Sequence, residues 1–144
     1  MLDIPTLLLD KIREHARLTY PEECCGLLLG KTKGLDKSVL HIIATDNAYK
    51  ESLCSRYCIS PLNLLEAENS ARNLGFEIIG VYHSHPNRPA SPSEFDQECA
   101  LPWYSYIILS INNEECGDLT SWVLRDERSC LENEYLYVVS QYPA

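Results

Sequence analysis

The chain has no Cys-x-x-Cys pair among its seven cysteines. A four-cysteine structural zinc module of the common spacing is therefore excluded. The cysteine number is odd and no secretory leader is evident, so Cys24, Cys25, Cys54, Cys58, Cys99, Cys116 and Cys130 read as reduced, cytoplasmic thiols packed as small apolar groups. The start, Met1-Leu-Asp-Ile-Pro5, lacks the basic stretch and cleavage site of a signal peptide. No apolar run approaches the roughly 18 residues that span a bilayer. There is no basic cluster, and the net charge is −9, which repels a phosphate backbone and argues against nucleic acid as partner. Internal repeats, linkers and low-complexity tracts are also missing, so residues 1–144 read as a single domain.

What is present centres on Val81-Tyr-His-Ser-His-Pro-Asn-Arg-Pro-Ala-Ser-Pro-Ser-Glu-Phe-Asp96. The preceding Glu77-Ile-Ile-Gly-Val-Tyr82 is β-branched and apolar, a buried strand. Strand side chains alternate faces, so His83 and His85 point the same way. Pro86 ends the strand because it cannot donate to a ladder. Ser91-Pro92-Ser93-Glu94 predicts a helix start, with Ser91 as N-cap, Pro92 at the first position and Glu94 closing a capping box. Ser93 and Asp96 then share one face of that helix. Two imidazoles and one carboxylate, with a fourth position for water, form a catalytic zinc set.

His-x-His alone is a common pairing of surface residues. The fuller pattern of His83, His85, seven residues, Ser93, two residues and Asp96 is more demanding. It resembles the JAMM (MPN-plus) zinc metallopeptidases, whose signature adds a distant glutamate. A hydrolase also needs a base for the attacking water. Glu22 and Glu23 both precede the apolar run Cys24–Gly30, and spacing alone does not separate them. The resemblance does: family members enter this strand with Pro-x-Glu-x-Cys-Gly, and Pro21-Glu22-Glu23-Cys24-Cys25-Gly26 matches with Glu23 as the catalytic residue. By the same resemblance His83, His85 and Asp96 hold one Zn2+ per chain, and Ser93 donates to the oxyanion.

Along the chain, Asp3–Thr19 reads as a helix with Leu8, Ile12 and Ala16 recurring every four residues. Cys24–Gly30 and Ser38–Ala44 read as antiparallel strands. Arg56, Tyr57, Cys58 and Ile59 form a candidate short edge strand. Ser60-Pro61 opens a helix that Gly75 closes. After the helix that follows Ser91 come strands over Tyr104–Ile111, Leu119–Arg125 and Glu134–Val139. The order α-β-β-(β)-α-β-α-β-β-β predicts an α/β (α+β) three-layer domain, a mixed sheet flanked by helices. The resemblance implies the cytidine-deaminase-like MPN fold. A nucleoside deaminase itself needs His-x-Glu and Pro-Cys-x-x-Cys, and neither occurs.

The resemblance further implies cleavage of an amide bond at the C-terminal Gly-Gly tail of a ubiquitin-like or sulfur-carrier protein, as in compact prokaryotic members. Isopeptidase action on a ubiquitin-like conjugate and a zinc-free MPN scaffold are the alternatives. A Gly-Gly tail offers only backbone to grip, so Arg56–Ile59 is the edge on which it is expected to dock as an added strand.

Overall fold

The computed structural model describes residues 1–49, 57–113, 115–125 and 130–142. Its elements in order are β1 (Leu2–Pro5), α1 (Thr6–Thr19), β2 (Cys25–Lys33), β3 (Asp36–Thr45), α2 (Pro61–Leu74), β4 (Glu77–Pro86), α3 (Glu94–Cys99), β5 (Ser105–Asn112), β6 (Glu115–Val123), β7 (Glu132–Glu134) and β8 (Leu136–Val139). The strands form one mixed sheet in the order β7-β6-β5-β4-β2-β3-β1-β8. β4 pairs parallel with β5, and β1 pairs parallel with both β3 and β8. The other pairings are antiparallel.

Period-two alternation builds the layers. Leu28 of β2 packs with Leu8, Leu9, Ile12 and Ala16 of α1, whereas Leu27 and Leu29 pack with Ala67 and Ala71 of α2. The sheet thus lies between α1 and α2, in agreement with the expected three layers. β2 shifts register against β4 between Leu28 and Leu29, where Leu28 faces Gly80 and Leu29 faces Ile78. Ile79 is the extra residue of this bulge, and it joins the α1 core while Ile78 packs on the other side.

Gly80 leaves no room for a side chain, because a Cβ there would lie 2.0 Å from the Ser105 carbonyl oxygen. Gly26 is equally constrained by the ring of Tyr82, 2.3 Å from a Cβ at that position. Gly80 thus lets β4 lie close to the backbone of β5, and Gly26 leaves room for the Tyr82 ring.

Several sequence-based expectations are corrected. The chain before Thr6 is a strand, not the first turn of α1; Leu2 pairs with Lys37 on one side and Leu136 on the other. Pro5 is the N-cap of α1. Local periodicity gives no hint of these partners, which lie far along the chain. Glu134–Val139 is not one strand either. It divides at Tyr135 into β7 and β8, which lie at opposite edges of the sheet. A single residue therefore joins the two edges, and the sheet curls around α1. β6 begins at Glu115 rather than Leu119, across a tight turn in which Asn113 has φ 46°.

The short strand expected over Arg56–Ile59 is not formed at Tyr57–Ile59, and Arg56 lies outside the described residues. Cys58 N donates to the Asn47 side chain at 3.0 Å, and Cys58 O accepts from Ala48 N at 2.8 Å. Both backbone groups of Cys58 are thus engaged within the chain, on the side of Asn47 and Ala48.

Candidate active site

β4 delivers His83 and His85 to the α2 side of the sheet, and both are 1% exposed. The helix that brings the carboxylate starts two residues later than the sequence suggests. Ser93, not Ser91, is the N-cap, and Asp96, not Glu94, closes the capping box. Ser93 Oγ accepts from Asp96 N at 3.0 Å, and Asp96 Oδ2 accepts from Ser93 N at 2.9 Å. Reciprocal bonding is available only three residues apart, and that places Asp96 in the first turn, aimed back at the strand.

The three side chains converge on one point. His83 Nε2 and His85 Nε2 are 3.1 Å apart, and Asp96 Oδ2 lies 3.1 Å from His85 Nε2 and 3.3 Å from His83 Nε2. A tetrahedral zinc with bonds of about 2.0 Å has ligand–ligand edges of about 3.3 Å. The triangle therefore has the size of one face of such a polyhedron.

Its chemistry agrees. His85 Nδ1 sits 2.8 Å from the Pro89 carbonyl, which can only accept, so Nδ1 carries the proton and a neutral His85 turns a lone pair on Nε2 toward the cluster. Burial lowers the pKa of His83, against the pull of Asp96, which favours a neutral ring there as well. Burial pushes Asp96 up, yet the adjacent His83 and His85 rings and the Ser93 amide outweigh it and hold the carboxyl well below the usual range. Electron-pair donors facing one another at these distances fit a cation between them.

Glu23 lies at the same cluster and is 1% exposed, whereas Glu22 is exposed. A Glu23 carboxylate oxygen and one ring nitrogen each from His83 and His85 fall within 4.8 Å of one another, so this trio is also a possible metal-holding group. Asp96 has the shorter distances, and Glu23 is engaged elsewhere: Arg88 Nη2 donates to Glu23 Oε2 at 2.6 Å. Burial pushes the Glu23 carboxyl up to about 8, against the lowering effect of the Arg88 guanidinium. Its backbone is fixed by neighbours, since Asn47 Nδ2 donates to Glu23 O at 3.3 Å and Cys24 N donates to Ser84 Oγ at 2.9 Å.

Tyr57 stacks on His83 with ring centroids 4.4 Å apart and an interplanar angle of 24°. It also forms one wall of a cavity of about 370 Å³, with Ile59, Val81, Phe95, Asp96 and Tyr106 among the other lining residues. So the described residues of the predicted docking segment, Tyr57, Cys58 and Ile59, all line this cavity. Sequence reasoning missed Arg88, which carries no motif, and the Pro89 carbonyl, which no side-chain pattern reveals.

With these features in place, comparison with known proteins identifies the class. The family of prokaryotic homologs of the JAB domain (Prok-JAB) matches residues 5–125, and the chain belongs to it. Among relatives, a probable TtuB-protein conjugate cleaving protease of Thermus thermophilus is 32% identical over 108 residues, covering 75% of this chain and 69% of that protein. A CysO-cysteine peptidase of Mycobacterium tuberculosis is 28% identical over 136 residues, covering 94% and 89%. The solution structure of protein DSY2949 from Desulfitobacterium hafniense superposes with TM-score 0.86 at 26% identity, covering 98% and 94%. A JAB1/MPN domain protein from Archaeoglobus fulgidus superposes with TM-score 0.58 at 21% identity, covering 96% and 97%, and shares the fold.

Proposed function

We propose that residues 1–144 form a single metallopeptidase domain that hydrolyses an amide bond at the C-terminal Gly-Gly tail of a ubiquitin-like or sulfur-carrier protein. The observation that carries this reading is the triangle of His83 Nε2, His85 Nε2 and Asp96 Oδ2, with edges of 3.1, 3.1 and 3.3 Å. In this reading His83, His85 and Asp96 hold one zinc per chain. Bound there, zinc supplies Lewis-acid polarisation of the scissile carbonyl and acidifies water.

The chain's own groups do the rest. Glu23 takes a proton from the attacking water and delivers it to the leaving amine. Ser93 Oγ accepts from the Asp96 amide, so its own hydroxyl proton remains to be donated to the developing oxyanion; such a donor is worth about 3 kcal/mol of barrier. Tyr57, Cys58 and Ile59 border the approach to the cluster, and the substrate tail is expected to contact them and Arg56. Tyr57 also covers His83 and keeps water from that side of the ring.

Support for the substrate class comes from the relatives, one named for cleaving TtuB-protein conjugates and another for acting on CysO-cysteine. Both names describe a protein joined to something else. Isopeptidase action on a ubiquitin-like conjugate is the second reading, favoured by the first of those names. No described helix is long and apolar enough to cross a membrane, and the proposed setting is the cytoplasm.

The test combines elemental analysis with cleavage. Purified protein should carry one zinc and release cysteine or a short extension placed after the Gly-Gly of a ubiquitin-like protein. Full zinc content in the His83→Ala/His85→Ala double variant would remove the metal assignment. Zinc-loaded protein that leaves every such fusion intact would remove the substrate class.

A further inference from the structure

The loop between β4 and α3 is anchored at four consecutive residues. Asn87 N donates to Ile111 O at 2.7 Å, and Tyr20 Oη donates to Asn87 Oδ1 at 2.8 Å. Ser110 Oγ donates to Arg88 O at 2.6 Å. His85 Nδ1 donates to Pro89 O at 2.8 Å, and Thr120 Oγ1 donates to Ala90 O at 2.7 Å. Asn87 adopts φ 57°, a left-handed conformation that asparagine tolerates better than most residues. Loops are ordinarily the mobile part of a site. Here partners from β4, β5, β6 and the segment before β2 hold the loop on several sides.

Two groups of the proposed machinery hang on this one bracket. Through Pro89 O it orients His85, and through the Arg88 side chain it grips Glu23, which is 65 positions away in sequence. Glu23 has three side-chain torsions, and its anchored backbone does not by itself determine where the carboxylate points. A planar guanidinium 2.6 Å from Oε2 does so, with directional donors that an ammonium lacks. Neither Arg88 nor this bond belongs to the His-x-His, Ser and Asp pattern.

Resting on the function proposed above, we infer that Arg88 is a positioning residue: the anchored Asn87–Ala90 loop uses it to hold the Glu23 carboxylate in register with the His83/His85/Asp96 cluster. A misplacement of about 1 Å in such an arrangement costs as much as 100-fold in rate.

The experiment compares zinc-loaded wild type, Arg88→Met and Arg88→Lys. It uses a ubiquitin-like protein fused through its Gly-Gly tail to a reporter, together with the cleaved Gly-Gly-ended product as a binding probe. Zinc content and crystal structures of each variant complete it. Arg88→Met should lose about 10- to 100-fold in kcat, with KM and product Kd within twofold, zinc retained and the Glu23 side chain displaced or multiply occupied. Arg88→Lys, which restores a charge without the planar fork, should recover part of kcat. Unchanged kcat, or Glu23 unmoved in the Arg88→Met crystal structure, overturns the inference. A rise in KM and Kd with kcat intact overturns it too, because Arg88 then grips substrate directly. Loss of zinc or of folding in both variants reduces Arg88 to a structural role and has the same consequence. Wild type lacking zinc and turnover would instead sink the proposed function, while the rotamer comparison still decides whether Arg88 holds Glu23.

Discussion

Two buried polar clusters lie at opposite ends of the central strands, and they differ in kind. At the end where β5 begins, Glu134 is 6% exposed. Its Oε1 accepts from Ser105 Oγ at 2.6 Å and from Ser121 Oγ at 2.8 Å. Lys37 Nζ donates to Ser105 Oγ at 2.9 Å and to the Trp103 carbonyl. Each donor there meets an acceptor, and the negative charge has a cation close by. At the end where β4 terminates, His83 Nε2, His85 Nε2 and Asp96 Oδ2 converge to within 3.3 Å of one another. A satisfied network is a device for holding strands together. On the function proposed above, the converging nitrogens and oxygen of the second cluster are a receptor for a cation. Burial of a carboxylate alone does not separate structure from function; the complementarity of its neighbours does.

The comparison breaks most visibly through turnover. Glu23→Gln should lower kcat by about 10²–10⁴ while zinc content and melting temperature stay at wild-type values; the same loss from Glu22→Gln would mean that the base lies one residue earlier. Metal removal is the next largest effect. At free zinc a thousandfold above its Kd the folded state gains about 4 kcal/mol. A chelator should therefore lower the denaturation midpoint of wild type and leave that of His83→Ala/His85→Ala unchanged. An equal chelator response in both proteins would place the metal elsewhere.

At the other end the phenotype should be inverted. Glu134→Gln keeps an acceptor for Ser105 and Ser121 but removes the charge opposite Lys37. It should destabilise the fold by about 1–3 kcal/mol, read as a lower denaturant midpoint, with zinc content and kcat/KM unaffected. A loss of zinc in that variant would erase the distinction between the two ends.

The smallest effect concerns pH. His15 Nδ1 lies 2.8 Å from Tyr82 Oη, and burial lowers the pKa of His15 from 6.5, with Asp46 opposing. The unfolded chain thus takes up a proton, as pH falls through the ordinary histidine value, that the folded chain resists. This contribution to stability is complete above about pH 7 and is lost as pH falls below about 6.5, levelling off once the folded histidine is also protonated. His15→Gln can still accept from Tyr82 and does not titrate, so its midpoint should fall less between pH 7 and 5.5. Identical slopes would rule His15 out as the source.

The legible parts of this site were the local ones. His83 and His85 are fixed by strand alternation, and Asp96 by its distance from them along a short loop and a helix start. Even there the cap slipped, because Ser91-Pro92 and Ser93-Glu94 both look like helix starts, and only the reciprocal bonds of Ser93 with Asp96 decide between them. Glu23 became specific through a family pattern, and the fold then placed it, rather than Glu22, at the cluster. Arg88 was illegible because an ion pair spanning 65 positions leaves no periodic trace. The same limit hid β1 and split Glu134–Val139 in two: four-residue and three-residue strands are defined by their partners, not by their own pattern. The layer order was readable because it rests on the longer strands, on the apolar stripe of α1 (Leu8, Leu9, Ile12 and Ala16) and on the caps of α2 at Ser60 and Gly75.

The one-residue connection at Tyr135 has a consequence for how the chain is made. β1 leaves the ribosome ahead of β2 to β8, yet one of its two ladders is supplied by β8, with Leu2 opposite Leu136 and Leu2 N bonded to Tyr135 O at 2.9 Å. The partners of β2 and β4 lie earlier or soon after them in the chain, so β4 with its two histidines is free to pair with β2 before the last strands are made. The apolar stripe of α1 must wait for the sheet to close around it. Closing contacts so distant in sequence is slow, and apolar surface stays open during the delay. In pulse-labelled hydrogen exchange during refolding, the amides of Leu2 and Ile4 should gain protection after those of Leu27 and Tyr82. The nascent chain would therefore carry a nearly assembled active-site strand and an unprotected first helix at the same moment, the state in which a chaperone would find it.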